Sequence, residues 1–334
     1  MDEQVKLDPW FLHDRLVVAL IGAKVTAQLP FLDPSHPMAT SINHTLLAEA
    51  LWEFVSRNRV PSGSAEFLAG RLKQGQLVWF DQAFWFRDVE KSYRAGSHAG
   101  ATFHTTLDVD RAIRVSGEFN PQRITSSSSL TYLTRRQPAF VLGYATGVNS
   151  NDITLRPIVI AHRMLVEGGS ETRFRDRLRI HPSEIDQFKG VEFDMALERK
   201  DLKLLREVPE EKVKTAFAEI IHEPSVPKDW GGELFDLMTN RITVNGERYQ
   251  AVVAFKGPAK FHPMTLADLG KNGDQIDRLS YTDADLLVVQ HCHEITAPVT
   301  NMLKVYAGYP GFRRRYMAID GFDTIRILRH FSYL

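Results

Sequence analysis

The 334-residue, 38.0 kDa chain exceeds what one hydrophobic core ordinarily holds, so two domains are expected. Its 43% hydrophobic content excludes a disordered chain, and 41 Lys and Arg against 41 Asp and Glu exclude a polybasic mode of nucleic-acid binding while leaving room for a local basic groove. The lone Cys292 excludes an intramolecular disulfide and a thiolate-rich metal site, and points to a reducing, cytoplasmic setting.

In chain order, the apolar run at 16–23 follows an acidic, polar start and is too short to cross a bilayer, so neither a signal peptide nor a membrane anchor is expected. Residues 43–57 carry Leu46, Leu47, Ala50, Leu51, Phe54 and Val55 at helical spacing. The turn Pro61-Ser62-Gly63-Ser64 closes that helix ahead of a second one at 65–73. Such a pair is either packed structure or a DNA-reading helix-turn-helix, and the second helix offers only Arg71 and Lys73 as cations for the latter. Strands are predicted at 77–80, 83–86, 139–144 and 153–162, and at strand spacing their aromatic residues read as core rather than as a base-stacking platform.

From Glu171 to Ile180 four arginines recur at every second residue. A strand here places Arg173, Arg175, Arg177 and Arg179 on one face, with Phe174, Leu178 and Ile180 inward. Two readings stand: a stripe that holds a phosphate backbone, or a charged edge strand that resists aggregation. The charge-mixed stretch 198–211 then reads as a connector, so the boundary is placed near residue 195. Residues 1–195 form a strand-rich mixed α/β domain that recognises substrate or a protein partner, and residues 196–334 form the second domain.

After Pro209, a helix at 210–222 presents Val213, Phe217, Ile220 and Ile221 on one face, with Glu219 on its last turns. Residues 237–244 and 251–256 form a hairpin about Asn245-Gly246, and the returning strand, apolar on both faces, ends in Lys256 before Gly257-Pro258. A glycine turn leads into a helix containing Gln275, followed by a buried strand at 284–291, a helix at 298–306 and a closing hairpin of 316–320 with 324–328. The fold class is therefore α/β (α+β), the second domain being a mixed sheet flanked by helices.

Over roughly residues 210–330 this order resembles the restriction-endonuclease-like, or PD-(D/E)xK, nuclease superfamily. The resemblance implies a helix, a three-stranded meander, a crossover helix and a further strand, with an acid on the second strand, acid-x-lysine on the third and a glutamine on the crossover helix. It assigns Asp236 as the first acid, Lys256 as the lysine, Gln275 as the glutamine and Glu219 as the acid sometimes found on the first helix. Ala254 stands where the second acid is expected. Three readings of Ala254 are open: Glu233 supplies the carboxylate from elsewhere, the alanine is an inactivating change, or the domain binds without cutting.

The first reading gives a site in which Asp236 and Glu233 hold Mg²⁺ (or Mn²⁺), Lys256 assists the attacking water and Gln275 positions water or phosphate. The implied activity is metal-dependent hydrolysis of DNA, with RNA as a second possible substrate, in bacterial restriction, repair or phage defence. The alternative is a catalytically degenerate nucleic-acid-binding or assembly subunit. His291, His293 and Glu294 have a spacing that suits either a transition metal or a strand end with its loop. Lys271-Asn272-Gly273 suits a phosphate turn, and Arg313-Arg314-Arg315 either a nucleic-acid contact or solvated surface.

Overall fold

The computed structural model describes residues 4–108, 113–167, 170–173, 177–224, 234–269, 274–311 and 314–334. The chain divides into two units, Met1–Arg177 and Leu178–Leu334. The division precedes residue 195 because the charge-mixed stretch is no connector: its apolar positions Leu202 and Leu205 are buried in the core of the second unit.

The first unit runs β1 (Gln4–Leu12), α1 (Asp14–Ile21), α2 (Ala23–Thr26), α3 (Ala39–Arg57), α4 (Gly63–Leu68), β2 (Leu77–Arg87), α5 (Val89–Arg94), β3 (Ala101–Asp108), β4 (Ile113–Phe119), α6 (Ser127–Tyr132), β5 (Gln137–Val148), β6 (Asp152–Glu167) and β7 (Ser170–Arg173). Its strands close into a five-stranded barrel in the order β6-β4-β3-β2-β5, with β5 returning to β6. The long β6 closes the ring by pairing parallel with β4 and antiparallel with β5, and its later part carries β1 and β7. Closure gives the ring strands a partner on both sides, which removes their free edges.

The strands predicted at 77–80 and 83–86 are one strand, β2. The polar break between them, Asp81, is buried and ion-paired with Arg163 of β6. Phe84, Phe86, Phe103, Val115 and Phe119 alternate into the barrel interior, as the core reading of the aromatics expects, whereas Trp85 is 51% exposed. Gly117 also faces inward. A Cβ there would lie 2.5 Å from both the Leu155 carbonyl oxygen and the Phe103 ring, so only glycine lets β4 close onto β6. Helix α4 is shorter than predicted and buries its first turn, with Gly63 against the Phe80 ring, so it is packed structure.

The second unit runs α7 (Glu210–Ile220), β8 (Leu237–Val244), β9 (Glu247–Lys256), α8 (Asp274–Ser280), β10 (Leu286–His291), α9 (Ala297–Ala307), β11 (Arg315–Ile319) and α10 (Gly321–His330). Its sheet order is β11-β10-β9-β8, with β8 antiparallel to β9 and the other pairs parallel. This is the mixed sheet with helices expected from the sequence. Among the described residues β8 and β9 make a two-stranded hairpin where the resemblance implies a three-stranded meander; residues 225–233 lie outside the description.

The expected closing hairpin is corrected: 324–328 belongs to α10, whose N-cap Asp320 accepts from Asp323 N at 2.9 Å. Five residues of mixed apolar and polar character fit either period, and the cap decides for helix. The free side of β11 instead receives the segment around Arg179, through Ile180 N to Tyr316 O and Tyr316 N to Leu178 O, both 2.9 Å. Because β9, β10 and β11 are parallel, their C-terminal ends at Lys256, His291 and Ile319 share one edge of the sheet, where open α/β sheets bind ligands. Among the described residues no helix of the chain is long and apolar enough to cross a membrane.

Candidate active site

Residues 251–255 of β9 are buried between β8 and β10, and the strand ends at the half-buried Lys256. Its backbone is pinned there, since the Lys256 carbonyl accepts from Cys292 N at 3.1 Å and lies 3.2 Å from His291 Nδ1. Asp236 precedes β8. Its N–H donates to Val253 O at 3.0 Å, and its Oδ2 accepts from Phe255 N at 2.7 Å, so the carboxylate takes the place of a ladder carbonyl one residue before Lys256. The structure therefore brings Asp236 and Lys256 together.

A second carboxylate reaches the same strand end from a position that sequence reasoning missed. Glu210, in the first turn of α7, accepts from Gly257 N through Oε2 at 2.6 Å. The approach is close enough that a Cβ on Gly257 would lie 2.6 Å from Glu210 Cβ, which accounts for glycine directly after the lysine. Phe255 N and Gly257 N are two residues apart on extended backbone, about 7 Å, so the two carboxylates are tied on either side of Lys256. Glu219, the acid expected from the helix, lies nine residues further along α7, about 13 Å, and accepts from Tyr333 OH. The sequence does carry a cue for Glu210: an acid directly after Pro209 sits in the first turn of its helix.

Lys214, one turn beyond Glu210, is only 3% exposed, with Glu211 Oε2 at 3.8 Å. Gln275 lies in α8 and is buried, and its Oε1 has no hydrogen-bond partner among the described residues. An unsatisfied buried acceptor costs about 1–3 kcal/mol unless a donor arrives. Glu233 and Arg175 lie outside the described residues, as do Lys271-Asn272-Gly273 and Arg313.

The arginine stripe is not one strand face among the described residues. Arg173 ends β7 in the first unit, Arg177 closes that unit outside any strand, and Arg179 bridges to Tyr316 in the second. Arg177 and Arg179 are both exposed. Arg314 is buried and donates to Ser280 O and Thr282 O at 2.7 and 2.5 Å, which makes it a structural tie of the second unit.

Within the histidine cluster, His291 is a structural tie. His291 is buried with its ring nitrogens facing the carbonyls of Lys256 and His262, at 3.2 and 3.0 Å, and burial holds its pKa below the ordinary value. Burial pushes the Cys292 thiol up to about 11, so it is no nucleophile near neutral pH. Among the described residues no three His, Cys, Asp or Glu side chains group to hold a metal. The site therefore brings at most two described carboxylates, a donor set that suits Mg²⁺, which is commonly held by one or two carboxylates with water and substrate phosphate completing its shell. No family model, no curated protein and no solved structure matches the chain.

Proposed function

We propose that the second unit is a metal-dependent nuclease that hydrolyses phosphodiester bonds of DNA or RNA. The observation that carries this reading is the placement of Asp236 and Glu210 on the backbone N–H groups either side of Lys256, at the C-terminal edge of the parallel strands. Ala254 supports the same arrangement. It is fully enclosed opposite Val289 of β10, so a carboxylate for this site has to come from another element, and α7 supplies it.

Asp236 and Glu210 are the residues that would hold Mg²⁺ (or Mn²⁺), which when bound neutralises phosphate charge and acidifies water. The ammonium of Lys256 orients the attacking water and stabilises the negative charge that develops on the phosphate oxygens. Backbone bonds to Phe255 and Gly257 fix the carboxylates before substrate arrives, which is the preorganisation such electrostatic catalysis needs. A second reading, a subunit that binds nucleic acid without cutting it, draws on the enclosed Ala254.

Incubating the full chain with plasmid, single-stranded DNA and RNA in Mg²⁺ or Mn²⁺ separates the two. Cleavage that EDTA abolishes, and that falls by at least about a hundredfold in Asp236→Asn, Glu210→Gln and Lys256→Ala, is the expected result. No cleavage by the unmodified chain favours the binding subunit. Cleavage untouched by the three substitutions overturns the site.

A further inference from the structure

The outer face of the barrel in the first unit carries an open groove of about 290 Å³ floored by β2, β3, β4 and the start of β6. Strand register arranges its side chains in rows. Trp85 stands opposite His104 and His104 opposite Ser116, while in the neighbouring rows Arg87 stands opposite Thr102 and Thr106 opposite Arg114. Because Phe84, Phe86, Phe103 and Val115 occupy the alternate, inward positions, all of these point out of the barrel.

The arginines of this face differ from several others in the unit by lacking a carboxylate. Arg57, Arg71, Arg94, Arg123 and Arg163 each hold a carboxylate, on Glu53, Glu66, Glu90, Asp14 and Asp81. The guanidinium groups of the exposed Arg87 and Arg114 have no ion pair or hydrogen bond among the described residues. Among the described residues Glu118 is the one carboxylate that lines the groove and is engaged by Gly100 N at 2.9 Å, and Asp152, opposite Arg114 in register, makes no ion pair with it. His104, between the two guanidinium groups, is held below its ordinary pKa first by burial and then by their positive charge. Next to this cationic floor Trp85 is 51% exposed, and the Arg136 guanidinium lies 5.8 Å from its ring centroid.

We propose that this face binds single-stranded nucleic acid, with Arg87 and Arg114 on the phosphates and Trp85 stacking an unpaired base. Unpartnered guanidinium groups match phosphate oxygens, and an exposed indole beside them offers the stacking surface on which single strands are held. A duplex keeps its bases stacked on one another and gives Trp85 nothing to receive. Small barrels accommodate oligosaccharides as well as oligonucleotides, but a neutral sugar leaves both arginines unmatched.

The test uses the full chain in EDTA, which removes metal-dependent cleavage, so that failure of binding and failure of the nuclease reading are told apart. A labelled single strand of about 20 nucleotides, longer than one barrel's site, is titrated by anisotropy as oligo-dT and oligo-rU, beside a duplex and a neutral oligosaccharide competitor. Trp85→Ala is expected to weaken single-strand binding roughly 5- to 150-fold. Combining Arg87→Ala with Arg114→Ala is expected to flatten the slope of log K against log salt by about 1.4, at about 0.7 for each phosphate that is no longer neutralised. Arg57→Ala, which removes an exposed arginine that is already ion-paired, serves as control and leaves binding unchanged.

All substituted positions on the face are exposed, and thermal melts confirm that each variant is folded. Absence of binding by the unmodified chain, tighter binding of the duplex, displacement by the sugar, or folded Trp85 and Arg87/Arg114 variants that bind as before would each overturn the proposal. So would an equal loss in Arg57→Ala. Preference between oligo-dT and oligo-rU assigns the sugar of the bound strand.

Discussion

Asp323 shows how one side chain sets a pH response in the second unit. It sits in the first turn of α10, 3.0 Å from Arg326 Nη1. Burial and then the neighbouring Asp320 raise its pKa to about 6, against the opposing pull of Arg326. The unfolded chain ionises this group near 3.8. Between those two values the folded state holds a proton that the unfolded state has released, so stability is full below the lower value and falls as pH rises towards the upper one. A gap of about two units corresponds to at most roughly 3 kcal/mol. Asparagine keeps an acceptor for Arg326 with no charge to desolvate. Thermal melts are therefore expected to show Asp323→Asn raising the melting temperature of the second unit near pH 7 and leaving it unchanged below pH 4. A lower melting temperature near pH 7 would mean that the attraction to Arg326 outweighs burial.

At the scale of elements, legibility follows the strength of the local period. The runs at 251–256 and 284–291 are apolar on both faces, which only strands buried on both sides require, and they are the central pair β9 and β10 of the second sheet. Lys256 is legible for the same reason, because it ends such a strand, whereas Asp236, ahead of the edge strand β8, stands out only through the resemblance. Glu210 is not, because what makes it part of the site is a bond to Gly257 across 47 positions of sequence, a contact no local pattern announces. Strands β3 and β4 are hidden because their inward positions include Thr105 and Gly117, a polar residue and a turn former, while the signal that matters is steric. Adding a methyl at Gly117 forces β4 off the Leu155 carbonyl and the Phe103 ring. Gly117→Ala is expected to destabilise the barrel by about 2–4 kcal/mol, read as a lower denaturant midpoint. An unchanged midpoint would show that β4 moves without cost and that the glycine is not a closure device.

For the molecule as a whole, the break after Arg177 puts the phenylalanine-rich interior of the barrel in one unit and the apolar cluster on one face of the central strands of the mixed sheet in the other. Each unit is of ordinary domain size and has its own core, the condition for unfolding as its own cooperative unit. Calorimetry on the full chain is expected to resolve two transitions, with Gly117→Ala moving one and Asp323→Asn the other. Both proposed ligands can then be assigned on the same trace, because a ligand stabilises the unit that binds it, by about 2.7 kcal/mol at a hundred times its dissociation constant. In EDTA a single-stranded oligonucleotide should raise the Gly117-sensitive transition alone. Without EDTA or nucleic acid, Mg²⁺ should raise the Asp323-sensitive one alone, and lose that effect in Asp236→Asn with Glu210→Gln. A single transition that all these changes shift together would replace two independent units with one cooperative body, and would remove the assignment of each ligand to its own unit.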